Sequence, residues 1–254
     1  MMKFFRRIRL DLLSEKQTIK YLKYAVGEIV LVVIGILIAL QINNWNESNK
    51  KSKLEHEILY NLKVDFQLNQ KELGEIIETT ESNMDKSIVI LNHTGDKYSG
   101  NFLLDSLVNA TVSGPAFSAQ NGFLNDLISS GNLGILKNAE LRSKLSSWGP
   151  YLDKLARREF YLEETESKLI EFVTKNGSWL NIDNYNSSKS KSNLNIPTSG
   201  FEISNNKMLL SLEFENLVEN SVIYHSSNLR SQRETLKLCD EILELIQLEI
   251  DKSI

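Results

Sequence analysis

Cysteine occurs once in the 254 residues, at Cys239, so no disulfide can form within the chain. A domain of this size does not need one to fold outside the cytoplasm. Three prolines and twelve glycines are too few turn-formers for an all-β protein. The three histidines, His56, His93 and His225, are far apart in sequence, and none has a partner at metal-ligand spacing. There is no G-x-S-x-G element and no glycine-rich phosphate loop. The sequence therefore encodes no recognisable catalytic constellation and calls for no metal or cofactor; the expectation is a protein that is not an enzyme. The net charge of −4 argues against nucleic acid as a partner. Long apolar runs are also scarce, with a single exception.

That exception is residues 24–42. Ile29 to Leu40 holds ten Ile, Val or Leu residues together with Gly35 and Ala39. A helix of this length spans roughly 28 Å, close to the ~30 Å hydrocarbon core of a bilayer. The ten branched residues favour insertion by about 3–6 kcal/mol. Glu28 opposes insertion, but it sits at the edge of the run, within reach of headgroups or of Lys20 and Lys23. Core helices of soluble proteins rarely carry such residues on every face. The run is too long and too far from the N-terminus for a cleaved signal peptide, and Ala39-Leu40-Gln41 is a poor cleavage site. An uncleaved signal anchor fits best, with the lipid bilayer as its first partner.

The flanks set an orientation. Residues 1–23 carry seven basic side chains against Asp11 and Glu15, a net of +5, leaving −9 for residues 24–254. The positive-inside rule places residues 1–23 in the cytoplasm and residues 43–254 beyond a bacterial inner membrane, in the periplasm. Tyr24 and Trp45 then serve as anchors at opposite interfaces. Phe4 to Leu10 is basic and amphipathic, which suits either an anionic inner leaflet or a simple topogenic charge cluster.

The expected fold is all-α: the membrane helix, continuing into or followed by an antiparallel bundle of three long and two short helices. Apolar residues recur at Leu54, Ile58, Leu62, Phe66, Leu73, Ile76, Met84, Ile88 and Leu91, a helical period. Phe102–Ala110 and Ala119–Ser130 read as short helices, the second closed by Gly131. Asn138 should cap a helix that Gly149-Pro150 interrupts or kinks. Residues 181–200, rich in Asn and Ser, read as a flexible loop. The last helix is expected from about Asn205, with Leu209, Leu212, Leu217, Tyr224, Leu229, Leu236, Cys239, Ile242 and Ile246 as its apolar set.

Two candidate sites follow. Glu28, Gly35, Ala39 and Ile42 share one face of the membrane helix, and Gly35-x-x-x-Ala39 permits close helix approach. The face suits a homodimer; the alternative is a lone helix with Glu28 at the headgroups. In the last helix, Ser221, His225, Asn228 and Gln232 interrupt the apolar stripe. Either they face inward and line a small-ligand pocket with Tyr224, or they face solvent or the short helices.

The run Gly27-Glu28-Ile-Val-Leu-Val-Val-Ile-Gly35-Ile-Leu-Ile-Ala-Leu-Gln41-Ile-Asn43-Asn44-Trp45-Asn46-Glu47, preceded by Lys3-Phe-Phe-Arg-Arg-Ile-Arg9, resembles the N-terminus of a large uncharacterised family of bacterial single-pass membrane proteins. Leu127-Ile-Ser129-Ser130-Gly131-Asn132-Leu133, then Lys137-Asn138 and Leu141-Arg142, resembles a second motif of that family. Trp148-Gly149-Pro150-Tyr151 departs from the continuous aromatic-bearing helix expected there. The resemblance implies topology and fold but no activity. Taken together, the expectation is an anchored interaction, scaffold or accessory protein for an envelope membrane partner. A small-ligand sensor signalling through its membrane helix to a partner is the alternative.

Overall fold

A computed structural model describes residues 18–189 and 196–252, with the side chains of 18–21 and 187–189 excepted. The basic segment up to residue 17, including Phe4–Leu10, and residues 190–195 of the expected loop lie outside the described residues. The described residues contain helices and no strand. The chain divides into two compact units, Met1–Glu57 and Ile58–Ile254.

The first unit is the leading part of a 74-residue helix, α1 (Thr18–Leu91). No proline interrupts it, and its apolar stretch is long enough to cross a bilayer. None of that stretch is buried. A core helix of a soluble protein would hide such residues, so the stretch is a candidate membrane span.

The second unit is a helical bundle. Its long elements are the rest of α1, α3 (Ala139–Asn176) and α5 (Leu212–Lys252); its short ones are α2 (Gly122–Ser129) and α4 (Trp179–Lys189). Lys63–Gln247, Gln70–Asp240 and Glu81–Arg233 contacts fix α1 antiparallel to α5. Lys144–Glu241 and Lys154–Glu234 do the same for α3 and α5. The buried face of α1 runs through Leu62, Phe66, Asn69, Leu73, Ile76, Thr80, Asn83, Ser87 and Ile90. That of α5 runs through Phe214, Val218, Ser221, His225, Asn228, Gln232, Thr235, Cys239, Ile242 and Ile246. Alternating steps of three and four give a period near 3.5, the repeat of helices that coil around one another.

Several sequence expectations hold locally. The Asn138 side chain accepts from Leu141 N–H at 3.0 Å and caps α3. Gly131 takes φ 72°, a left-handed turn that suits glycine, just past α2.

Others are corrected. Phe102–Ala110 is not an α-helix but two 3-10 turns, Leu104–Ser106 and Val108–Thr111. Gly149-Pro150 does not interrupt α3. Pro150 and Ser146 are both exposed, so the Ser146 carbonyl left without an N–H donor can meet water. Residues 181–200 are not all loop, because α4 runs to Lys189 with Ile182 fully buried. Asparagines order this stretch: Asn184 Nδ2 donates to Ile196 O at 2.6 Å, and Asn181 Oδ1 accepts from Ser199 N–H at 2.9 Å. Asn205 accepts from Ser178 N–H at 2.7 Å and donates to Asp105 at 2.6 Å. Residues 205–210 form a 3-10 turn, and α5 begins at Leu212.

Candidate functional site

The bundle has two apolar cores, one at each end. One gathers Leu62, Phe66, Leu73, Leu141, Leu145, Trp148, Cys239 and Ile242. The other gathers Ile90, Leu104, Leu169, Phe172, Ile182, Phe214 and Val218. Between them most buried positions turn polar, with Leu162 of α3 and Leu229 of α5 as apolar exceptions. On α5 these are Ser221, His225, Asn228, Ser231, Gln232 and Thr235; on α1 they are Thr80, Asn83 and Ser87; on α3, Thr165. The antiparallel register sets Thr80 level with Gln232, Asn83 with Asn228, and Ser87 with His225.

The hydroxyls mostly satisfy themselves. Thr80, Ser87 and Thr235 donate to carbonyls four residues back on their own helices. His225 Nδ1 lies 2.8 Å from Ser221 O, so this nitrogen carries the proton and donates to the carbonyl. That leaves Nε2 an acceptor. Burial holds the His225 pKa below its ordinary 6.5, against the opposing pull of the Ser221 carbonyl, so the ring is neutral. Its Nε2 has no hydrogen-bond partner, nor have the amide O and N of Asn228 and of Gln232. Of the six such atoms among the described residues, five fall within two turns of one helix, and this clustering, not their number, singles out the tier.

The outside of the same tier exposes large apolar side chains among its charged ones: Ile88 and Val89 of α1, Phe160 and Tyr161 of α3, and Ile223 and Tyr224 of α5. The tier is thus mostly polar within, with several apolar side chains turned outward. Its placement corrects the expected pocket in one respect: Ser221, His225, Asn228 and Gln232 do come together inside, but Tyr224 points outward at 36% exposure. Beside the tier lies an open groove of about 720 Å³ between α1 and α5, lined by Glu81, Met84, Asp85, Leu229, Arg230 and Arg233, among others.

An extended strap, residues 113–121, covers the bundle and is held by acidic and amide side chains. Glu166 accepts from Gly114 N–H at 2.7 Å, Glu159 from Phe117 N–H at 2.9 Å, and Glu72 from Ser118 N–H at 3.0 Å. Asn69 and Gln120 exchange two bonds, and Asn83 donates to Ser113 O. A Cβ on Gly114 would stand 2.7 Å from both Glu166 Oε1 and Leu162 Cδ2, so any larger residue there would have to displace the ends of these two side chains. Burial raises the Glu159 and Glu166 pKa values, and the strap N–H groups pull them back down.

In the apolar helix, Gly35 faces open space, with nothing of the chain within 4 Å of a Cβ placed there. Ile42, Tyr24 and Trp45 are exposed and Glu28 is half-buried. Among the described residues no group of His, Cys, Asp and Glu could hold a metal ion.

The sequence reading missed Thr80, Asn83, Ser87 and Thr165, the strap carboxylates, and the outer apolar residues as a group. The usable signal was the unbroken three-four spacing, which continues through the polar residues. Comparison with curated proteins finds no match, and comparison with solved structures finds none. A family match covers residues 28–201, from within the apolar helix to beyond α4, and includes the first motif from Glu28 onward, the second motif and the strap. The chain belongs to this family, the family of unknown function DUF6090.

Proposed function

We propose that the protein is a single-pass membrane-anchored scaffold or accessory subunit of the bacterial inner membrane. Its N-terminus is cytoplasmic, and its helical domain, on the periplasmic side, binds a partner protein without catalysing a reaction. The observation that supports this best is the outer face of the tier: Ile88, Val89, Phe160, Tyr161, Ile223 and Tyr224 all expose apolar side chains at the middle of the bundle. Exposed large apolar side chains gathered at one level of a bundle suit an interaction site. Within the membrane, Gly35 and Ala39 leave room for a second helix, which suits a homodimer with Glu28 and Ile42 on the same face. Tyr24 and Trp45 suit interface anchors.

The test is crosslinking mass spectrometry on native membranes, followed by purification in mild detergent. Recurrent crosslinks from the domain to one envelope protein, lost in a Phe160→Ser, Tyr224→Ser double variant, support the proposal. A clean monomer with no partner overturns it.

A second reading is favoured by the orphaned polar atoms: a sensor whose ligand sits in the tier and whose signal passes along α1 to a partner.

A further inference from the structure

The geometry points to the polar tier as a binding site for a small uncharged molecule that both donates and accepts hydrogen bonds, either ordered water or an organic amide or alcohol. This deepens the sensor reading by naming the ligand class, and it rests on the site in that reading, not on its signalling step.

The tier's hydrogen-bonding capacity is unmet. His225 Nε2 can only accept, so its partner must bring an N–H or O–H. The Asn228 and Gln232 amides each present both a carbonyl oxygen and an NH₂ without a partner, so the occupant must also accept. All three residues are fully buried. A charged occupant is disfavoured, because the tier offers it no opposite charge: among the described residues its interior holds hydroxyls, amides, a neutral imidazole and the aliphatic side chains of Leu162 and Leu229. The carboxylates around the tier include Glu159 and Glu166, engaged by the strap N–H groups, and Glu81, paired with Arg233. Left empty, the five atoms would each forfeit a hydrogen bond in a low-dielectric interior, which native proteins avoid by recruiting water or a ligand. The groove supplies a route. Met84 and Leu229 stand in its wall, each next in sequence to a residue of the tier, Asn83 and Asn228. Met84 is only half-buried and has a flexible unbranched side chain.

The experiment is nitrogen-15 NMR on the full chain in lipid nanodiscs, reading the His225 ring nitrogens and the Asn228 and Gln232 side-chain amides, with acetamide as the probe. Acetamide carries one carbonyl and one NH₂, the complement of the tier. Saturable shifts of these three residues, with a Kd on the order of 1 mM, support the site and identify its occupant as organic. The shifts should vanish in Gln232→Leu, nearly the same volume, and persist in Tyr224→Ala. No saturation, but cross-peaks from the same nitrogens to long-lived water, supports the site and identifies the occupant as water. Neither signal, with a His225 Nε2 resonance characteristic of an unbonded nitrogen, overturns it. The wild-type spectra decide between these outcomes even where a variant fails to fold. Loss of partner crosslinks would leave them unchanged, so the two proposals fail separately.

Discussion

Cys239 and His225 lie on the same face of α5, two heptads apart, and the bundle treats them in opposite ways. Cys239 sits in an apolar core, donates to Phe66 O at 3.3 Å, and has its thiol pushed up to about 12 by burial. Around it Phe66 and Trp148 meet edge to face at 4.9 Å. His225 sits where the same face is lined with amides and hydroxyls, and its outer nitrogen meets no partner. The core near Cys239 is built for stability, since apolar area is removed from water and only the Trp148 indole N–H is left without a partner there. The tier around His225 gives stability up, because each orphaned buried atom costs about 1–3 kcal/mol relative to hydration. One helix thus carries a rigid end and a soft middle.

The largest expected effect tests the rigid end. Leu145→Ala, at a fully buried position of the first core, should lower unfolding stability by about 2–5 kcal/mol in denaturant titration. A loss below about 1 kcal/mol would mean that this core is no better packed than the tier.

The soft middle should respond in the opposite sense. Replacing Asn228 and Gln232 together by Leu removes four orphaned atoms and should raise stability by about 1–3 kcal/mol, while abolishing any acetamide response. A fall in stability would show that these amides already have good partners, and the contrast between the two regions would collapse.

This contrast also explains what was legible in the sequence. The all-α class, the apolar helix, the Asn138 cap and the Gly131 turn were readable because each depends on a local pattern. The inward face of the bundle middle was not. On α1 the apolar residues Met84 and Ile88 suggest one face, yet the chain buries Thr80, Asn83, Ser87 and Ile90. On α5 Tyr224 looks like core, yet its neighbour His225 is the buried one. Hydrophobicity points outward in this tier, so any reading based on apolar periodicity slips by about one residue there. The heptad spacing alone, followed through the polar residues, keeps the true phase. The Asn-rich segment misled for a different reason. Its composition resembles a flexible linker, but Asn181, Asn184 and Asn205 each bond to backbone groups distant in sequence, and sequence reveals no such pairing.

A third prediction separates the regions by pH. His225 is held neutral in the folded state, whereas in the unfolded chain it titrates near 6.5. Below that pH the unfolded state binds a proton that the native state refuses. Stability should therefore fall by up to about 1.4 kcal/mol per pH unit, until the depressed folded pKa is reached. His225→Phe should flatten this limb in denaturation series across the range. If the limb persists unchanged in His225→Phe, the imidazole is not its source.

The smallest effect concerns the strap, and its sign is the reverse. Burial raises the Glu166 pKa above its ordinary 4.5 despite the Gly114 N–H bond. On acidification the native state takes up this proton before the unfolded state does, so this site gains stability as pH falls through the folded pKa. Glu166→Gln keeps a carbonyl oxygen for Gly114 N–H while removing a half-buried charge. Stability at neutral pH should change by less than about 1 kcal/mol, in the stabilising direction, and the gain on acidification should disappear. His225 makes the tier weaken in acid, whereas Glu166 makes the strap over it hold more firmly. A wild-type profile should therefore be flatter than that of Glu166→Gln, in which the His225 limb is opposed by one strap carboxylate fewer, Glu159 remaining. If Glu166→Gln instead unfolds the strap, read as new amide exchange at residues 113–121, the carboxylate charge itself is what holds it.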